Sequence, residues 1–176
     1  TSESTWARGI STTFIQIFQG TPLLLQLFLV FFGAPVLGLD INPWVAAGVA
    51  LILNSAAFLG EIWRGCIEAI PRGQWEAAEA LSLKYTSRMR YVVLPQAFKI
   101  ALAPTVGYVV QIIKGTSLAA IIGFVEVTRA GQIVNNATFQ PLIVFSVVAA
   151  ICFVICWPLS LLAARMERKR ARALAR

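Results

Sequence analysis

The sequence predicts an all-α integral membrane protein with four spans, and three observations predict it. Of the 176 residues, 58% are hydrophobic and 13% charged, where a soluble domain has about a quarter charged and under half apolar. The apolar residues fall into uncharged blocks, several long enough to supply the about 20 helical residues that cross a bilayer. The net charge of +7 is concentrated in two clusters flanking apolar blocks. That is the distribution of a cytoplasmic membrane face and not of a nucleic-acid patch. The length suits a single domain, residues 1–176.

The elements follow in order. Gly9 through Leu39 carries no charge, and its core "PLLLQLFLVFFGAPVLGL" gives the first span. The more polar "WARGISTTFIQIFQGT" before it reads as the same helix extending into the interface. Thr21-Pro22 marks either the start of that span or a kink in it. Ile41–Gly60 gives the second span. Ile100 to Val125, interrupted only by Lys114, gives the third. It begins near Ala97 just after Pro95 and is expected to break at Gly115. Pro141 to Ala164 gives the fourth, and residues 165–176 form a basic tail.

Arg64, Arg72, Lys84, Arg88, Arg90 and Lys99 lie in or beside the central charged segment. Arg165, Arg168, Lys169, Arg170, Arg172 and Arg176 follow the last span. The opposite side offers only Arg129, with Lys114 at its approach. The basic bias therefore sets the N-terminus, central loop and C-terminus on the cytoplasmic side.

Some chemistry is excluded by composition. There is no histidine, which removes the commonest metal ligand and general base. The three cysteines have no metal or redox spacing. Cys152 and Cys156, inside an apolar run, read as small hydrophobes. No Gly-rich lysine loop is present, so the chain is expected to bind no nucleotide or other cofactor and to hydrolyse no ATP.

Between the second and third spans lies "QWEAAEALSLKYTSRMRYVVLPQA", Gln74 to Ala97. Pro71 suits a first helical position and Trp75 to Leu83 is rich in helix formers, predicting a short helix over about 71–83. Ala77, Ala78 and Ala80 leave it thin enough to seat closely on another surface. Packing on its own bundle at the membrane surface is the alternative.

Here the sequence resembles a known family. "EAAEALS" followed by "VVLPQA" is similar to the EAA loop of bacterial ABC importer permeases. "FQGTPLLLQLF" (Phe18–Phe28), "NSAAFLGEIWRG" (Asn54–Gly65), "IPRGQWEAAEAL", "LPQAFKIALAP" and "IIKGTSL" resemble the polar amino acid uptake branch, which includes the histidine and glutamine permeases. The resemblance runs from about Phe18 to Glu167 and implies a type I importer transmembrane fold in the bacterial inner membrane. Permeases of that branch have five spans; the one apparently missing here is the first. The implied partners are a second permease subunit, identical or sibling, and an ATPase subunit carrying ATP and magnesium. A periplasmic or lipid-anchored amino acid-binding protein and the surrounding lipid complete the set. The 71–84 segment would be the coupling helix. Glu76, Ala77 and Ala78 would form its docking face, Ser82 its end, and Pro95 would fix the return into the membrane.

Three residues depart from the family pattern. Ser82 replaces the loop glycine, which argues against an obligatory left-handed backbone there. Gln19 replaces an arginine, and Gly115 an aspartate after Lys114.

The substrate route has several candidates. Lys114 either snorkels to the outer interface or contacts substrate. Gly115, Thr116 and Ser117 either break a helix and expose backbone polar groups or bond back to their own helix. Asn54 and Ser55 serve as interhelical glue or line the path. Glu61 and Arg64 have ion-pair spacing. Glu126 and Arg129 repeat it on an amphipathic helix near an outer gate. Two rivals are an ATP-independent secondary carrier or channel and a structural anchor. The first would want inverted repeats or acidic residues within spans, and the second has no need of polar residues inside them.

Overall fold

The computed structural model describes residues 5–174, almost entirely as helix. In order these are α1 (Thr5–Gly20), α2 (Leu23–Val36), α3 (Pro43–Glu68), α4 (Arg72–Ala80) and α5 (Tyr85–Arg88). A π-helical turn (Met89–Val93), α6 (Leu94–Gly115), a 3₁₀ segment (Thr116–Ile122), α7 (Val127–Thr138) and α8 (Pro141–Leu174) complete them.

Three units are long and apolar enough to cross a membrane: Pro43–Glu68, Tyr85–Ile122 and Pro141–Lys169. A fourth exists only if α1 and α2 count together, and they are bent by 101°. The first apolar block and the polar stretch before it are therefore two helices, parted at Thr21-Pro22. Pro22 has no N–H to donate and forces the chain ahead of it out of helical geometry. The Thr21 hydroxyl then takes the Ile17 carbonyl at 2.8 Å, capping α1.

The third span also begins elsewhere than expected. It starts at Tyr85, so Pro95 lies inside the rod. Pro95 cannot donate to the carbonyl four residues back, and its ring would crowd that carbonyl. The preceding turn widens, with the Leu94 N–H reaching Met89 O. The rod stays continuous because the misfit is spread over that π turn.

Small residues make the core. Ala46, Ala47 and Ala50 of α3 meet Leu27 of α2 and Ala119 and Ile122 of the 3₁₀ segment, all buried. Alanine faces let helix backbones approach, which is how membrane helices gain contact where lipid removes the hydrophobic drive. Gly115 serves the same end: a Cβ there would lie 3.1 Å from Leu23 and 3.9 Å from Leu51. α6 packs between α3 and α8, and α1 and α2 both lie on α3. Cys156 is buried on α8, but Leu142, Phe153, Val154 and Trp157 of that helix are exposed. The basic stretch after Ala164 is helical. α8 runs through it to Leu174, while Arg176 lies outside the described residues.

A second cluster holds α4. Ile70, Val93 and Ala97 are buried, with Ile67, Trp75, Met89 and Ile100 around them.

Candidate functional site

The most polar place inside the bundle surrounds the break between α1 and α2. Ending α1 at Gly20 leaves its last carbonyls without helical partners. Side chains from three helices form a relay that ends on them. Gln26 of α2 donates through Nε2 to Phe18 O at 2.8 Å, to Thr21 O at 3.0 Å and to Thr21 Oγ1 at 2.9 Å. Asn54 of α3 donates to Gln26 Oε1 at 3.2 Å and approaches Phe18 O at 3.5 Å. Tyr108 of α6 donates to Asn54 Oδ1 at 3.3 Å. Gln26 and Asn54 are buried, and each is paired, as a polar group removed from water requires.

Two recesses open beside this relay. One, of 370 Å³, is lined by Gln19, Gly20, Thr21, Pro22, Leu23, Asn54 and Phe58. The other, of 390 Å³, is lined by Leu23, Leu51, Asn54, Ser55, Phe58, Tyr108, Gln111 and Ile112. They adjoin at Leu23, Asn54 and Phe58, and the pair is called the groove below. The Phe58 and Tyr108 rings stack across it with centroids 5.5 Å apart. Asn54 stands 11 residues beyond Pro43, about 16 Å along the helix axis. That is half the depth of an about 30 Å hydrocarbon core.

The structure thus places Asn54 and Ser55 in the groove, with Asn54 serving also as interhelical glue. Gly115 packs on Leu23 and Leu51 at the groove's edge. Lys114 is exposed, one turn past Gln111. The expected break at Gly115 is a change of helix type and not an unwinding. Thr116 bonds Ile113 O at 2.7 Å and Ser117 bonds Lys114 O at 2.6 Å, so both hydroxyls return to their own helix. The discontinuity that does expose backbone is at Thr21-Pro22. Gln26, Tyr108 and Gln111 also belong here, and nothing in their local sequence brings them together. A glutamine inside an uncharged span was the available signal.

At the other end, Glu126 and Arg129 are not an ion pair. The Glu126 carboxylate caps α7, accepting from the N–H groups of Thr128 and Arg129 at 2.8 Å each. The Arg129 side chain pairs with Gln132 at 3.0 Å. A carboxylate at a helix N-cap is better satisfied by two backbone donors than by one long side chain. Arg64 does bridge Glu61, as spaced, and also Glu68 on the next turn.

α4 presents two unlike faces. Ala78 is 3% exposed and turned onto the chain itself, so it is not part of an outward docking face. Its partners there require it: the helix lies on the Ile70–Val93–Ala97 cluster through Trp75. Glu76, Ala77, Ala80 and Leu81 are exposed, Leu81 at 75%. Gln96 of α6 ties to Gln74 at 3.1 Å, and Arg88 to Glu79 at 3.3 Å. Ser82 has φ of 55°, left-handed after all. Its N–H bonds Glu79 O at 2.8 Å and that of Leu83 bonds Ala78 O at 3.2 Å. This pair of bonds is the Schellman closure, which requires a positive φ whatever residue occupies the position.

A multi-pass helical bundle with a half-depth polar groove at a broken helix, and a short helix held at the foot of a span, has the architecture of a membrane permease subunit. Residues 1–172 match the family described as binding-protein-dependent transport system inner membrane component, and the chain belongs to it. It is a transporter component of the inner membrane and not an enzyme. It is 36% identical over 165 residues to the glutamine transport system permease protein GlnP of Escherichia coli (strain K12), covering 93% of this chain and 75% of that protein. It is 38% identical over 161 residues to the arginine transport system permease protein ArtQ of Bacillus subtilis (strain 168), covering 91% and 74% respectively. The crystal structure of an amino acid ABC transporter with histidines matches with a TM-score of 0.89 and 33% identity, covering 96% of this chain and 78% of that one.

Proposed function

We propose that this chain is the membrane-spanning permease subunit of an ATP-driven importer of amino acids or close derivatives. The whole chain acts as one transmembrane domain and the 71–84 segment as its coupling element. The observation that carries this reading is the α4 platform. A short helix is fixed to the foot of α6 by Trp75, Gln74–Gln96 and Glu79–Arg88, and its face of Glu76, Ala77, Ala80 and Leu81 stays open. A helix so held moves with the α5–α6 rod. Force applied by a docked ATPase therefore reaches Tyr108 and the groove through continuous helix. ATP and magnesium reside on that ATPase.

The groove is the substrate's route, with Asn54 and Ser55 along it and Lys114–Ser117 at its outer rim. α7, headed by Glu126 and carrying Arg129, forms the external gate. A second permease subunit, identical or sibling, meets this chain across its exposed apolar faces, and lipid covers the rest. A periplasmic or lipid-anchored binding protein delivers the amino acid from outside. The relatives are named for glutamine and arginine transport, which supports the substrate class. The basic clusters support a cytoplasmic central loop and C-terminus.

The test is ATP turnover by the reconstituted complex with ligand-loaded binding protein. Glu76→Lys with Ala77→Asp is expected to abolish the stimulation by loaded binding protein while the subunit still inserts. Unchanged import by that variant shows the coupling assignment to be wrong.

A further inference from the structure

α8 has one face packed and one face free. Val144, Val148, Cys152, Cys156 and Ala163 recur at helical spacing and are buried or half-buried, on the side turned to α6 and α7. The opposite side carries Ile143, Val147, Val154, Trp157 and Leu161, all exposed. Arg165 and Arg168 continue that free stripe, four and seven residues beyond Leu161, and Lys169 stands beside them; all three are exposed. Among the described residues no carboxylate pairs with any of the three. Glu167 lies off the stripe, because one residue along a helix is about 100° around it.

Depth decides what the three cations meet. Ala164 stands 23 residues beyond Pro141 in the same unbroken helix, about 35 Å along its axis. The uncharged part of α8 therefore fills an about 30 Å hydrocarbon core, and Arg165 emerges where the headgroups begin. Arg168 and Lys169 follow about 5 Å further out, still within the headgroup layer.

We infer that Arg165, Arg168 and Lys169 hold an anionic phospholipid headgroup at the end of the lipid-facing stripe of α8. The acyl chains of that lipid lie along Leu161, Trp157 and Val154, and its phosphate meets three cations that have no protein counter-charge. Guanidinium and phosphate form charge-assisted, bidentate hydrogen bonds. The headgroup must carry net charge, because a zwitterionic lipid brings its own ammonium to the same place. This requires only that α8 span the bilayer, so it stands apart from the importer reading.

The experiment measures lipid selectivity at one point on the full chain. With the three cysteines replaced by alanine, Leu161→Cys is labelled with bimane about 6 Å inside Arg165. The protein is placed in vesicles of mixed phosphatidylcholine and phosphatidylglycerol, one or the other brominated in its acyl chains to quench the label. Both leaflets have the same composition, so the direction of insertion does not matter. A preference for phosphatidylglycerol on the order of fivefold is expected, falling as salt is raised. Arg165→Gln, Arg168→Gln and Lys169→Gln together should bring it close to one, since glutamine keeps the helix and removes the charge. Val147→Cys, on the same stripe at the far end of α8, should report little preference. Equal quenching by the two lipids at Leu161 overturns the inference. So does a preference that survives the triple substitution, or one as large at Val147 as at Leu161.

Discussion

Ser82 occupies a position that glycine fills twice elsewhere in the same chain. Gly38 and Gly123 close α2 and the 3₁₀ segment with the same pair of bonds, at φ of 76° and 86°. A serine at 55° bears the Cβ–carbonyl crowding that glycine escapes, about 1–2 kcal/mol. Ser82→Gly removes it at an entropic cost of about 0.4–1 kcal/mol in the unfolded chain. A net gain of about 0.5 kcal/mol is expected, read as a small rise in melting temperature of the detergent-solubilised protein. Ser82→Val, branched at Cβ, should lower the same temperature. Gln26 is a larger stake. Gln26→Leu strands the Phe18 and Thr21 carbonyls and the Asn54 amide together, and about 3 kcal/mol of destabilisation is expected from the same melts. The sequence showed that Ser82 departs from its relatives but not that the backbone there is left-handed. The two closing bonds decide that, and they are made by Glu79 and Ala78. Asn54 was legible as a polar residue in a span, whereas its partners were not, because Gln26 and Tyr108 lie 28 and 54 residues away.

At the scale of elements, the apolar blocks located α3, α6 and α8 well, since length and lack of charge are local properties. Boundaries near proline were less legible. Pro22 breaks a helix outright, while Pro95 is absorbed by a π turn within a continuous rod. The two prolines look alike in sequence. What separates them is the setting. Beside Pro22, Gln26 satisfies the carbonyls of Phe18 and Thr21, and beside Pro95 the buried Val93 and Ala97 keep the helix seated on its neighbours. The α7–α8 hairpin offers a sharper test of packing. A Cβ on Gly131 would lie 2.6 Å from Val148 Cγ2, and valine, stiff at χ1, cannot turn away cheaply. Gly131→Ala is expected to destabilise by about 1–3 kcal/mol. Adding Val148→Ala should recover most of that loss, so the double-mutant cycle in thermal melts should show strong non-additivity.

For the whole molecule, orientation and exposure can be read together. With Cys66, Cys152 and Cys156 replaced by alanine, a single cysteine at Gln140 should react with a membrane-impermeant maleimide in intact cells. With the cytoplasmic central loop proposed from the basic clusters, one at Leu81 should react only once the membrane is opened. Labelling in the reverse order would invert the topology and place α4 out of an ATPase's reach.

Composition, uncharged block lengths and basic clusters were enough for the sequence alone to determine a multi-pass helical membrane protein. Its motifs identified the permease family, and on them rests the proposed coupling role of residues 71–84. These are properties of single stretches of chain, governed by transfer of each stretch between water and lipid. Only the tertiary structure decided where the chain breaks, which face of α4 is free and which polar side chains form the groove. The reason is that buried polar groups must find partners, and those partners come from helices far apart in sequence. A 101° bend at Thr21-Pro22 persists because Gln26, Asn54 and Tyr108 converge on it. No local pattern encodes that convergence.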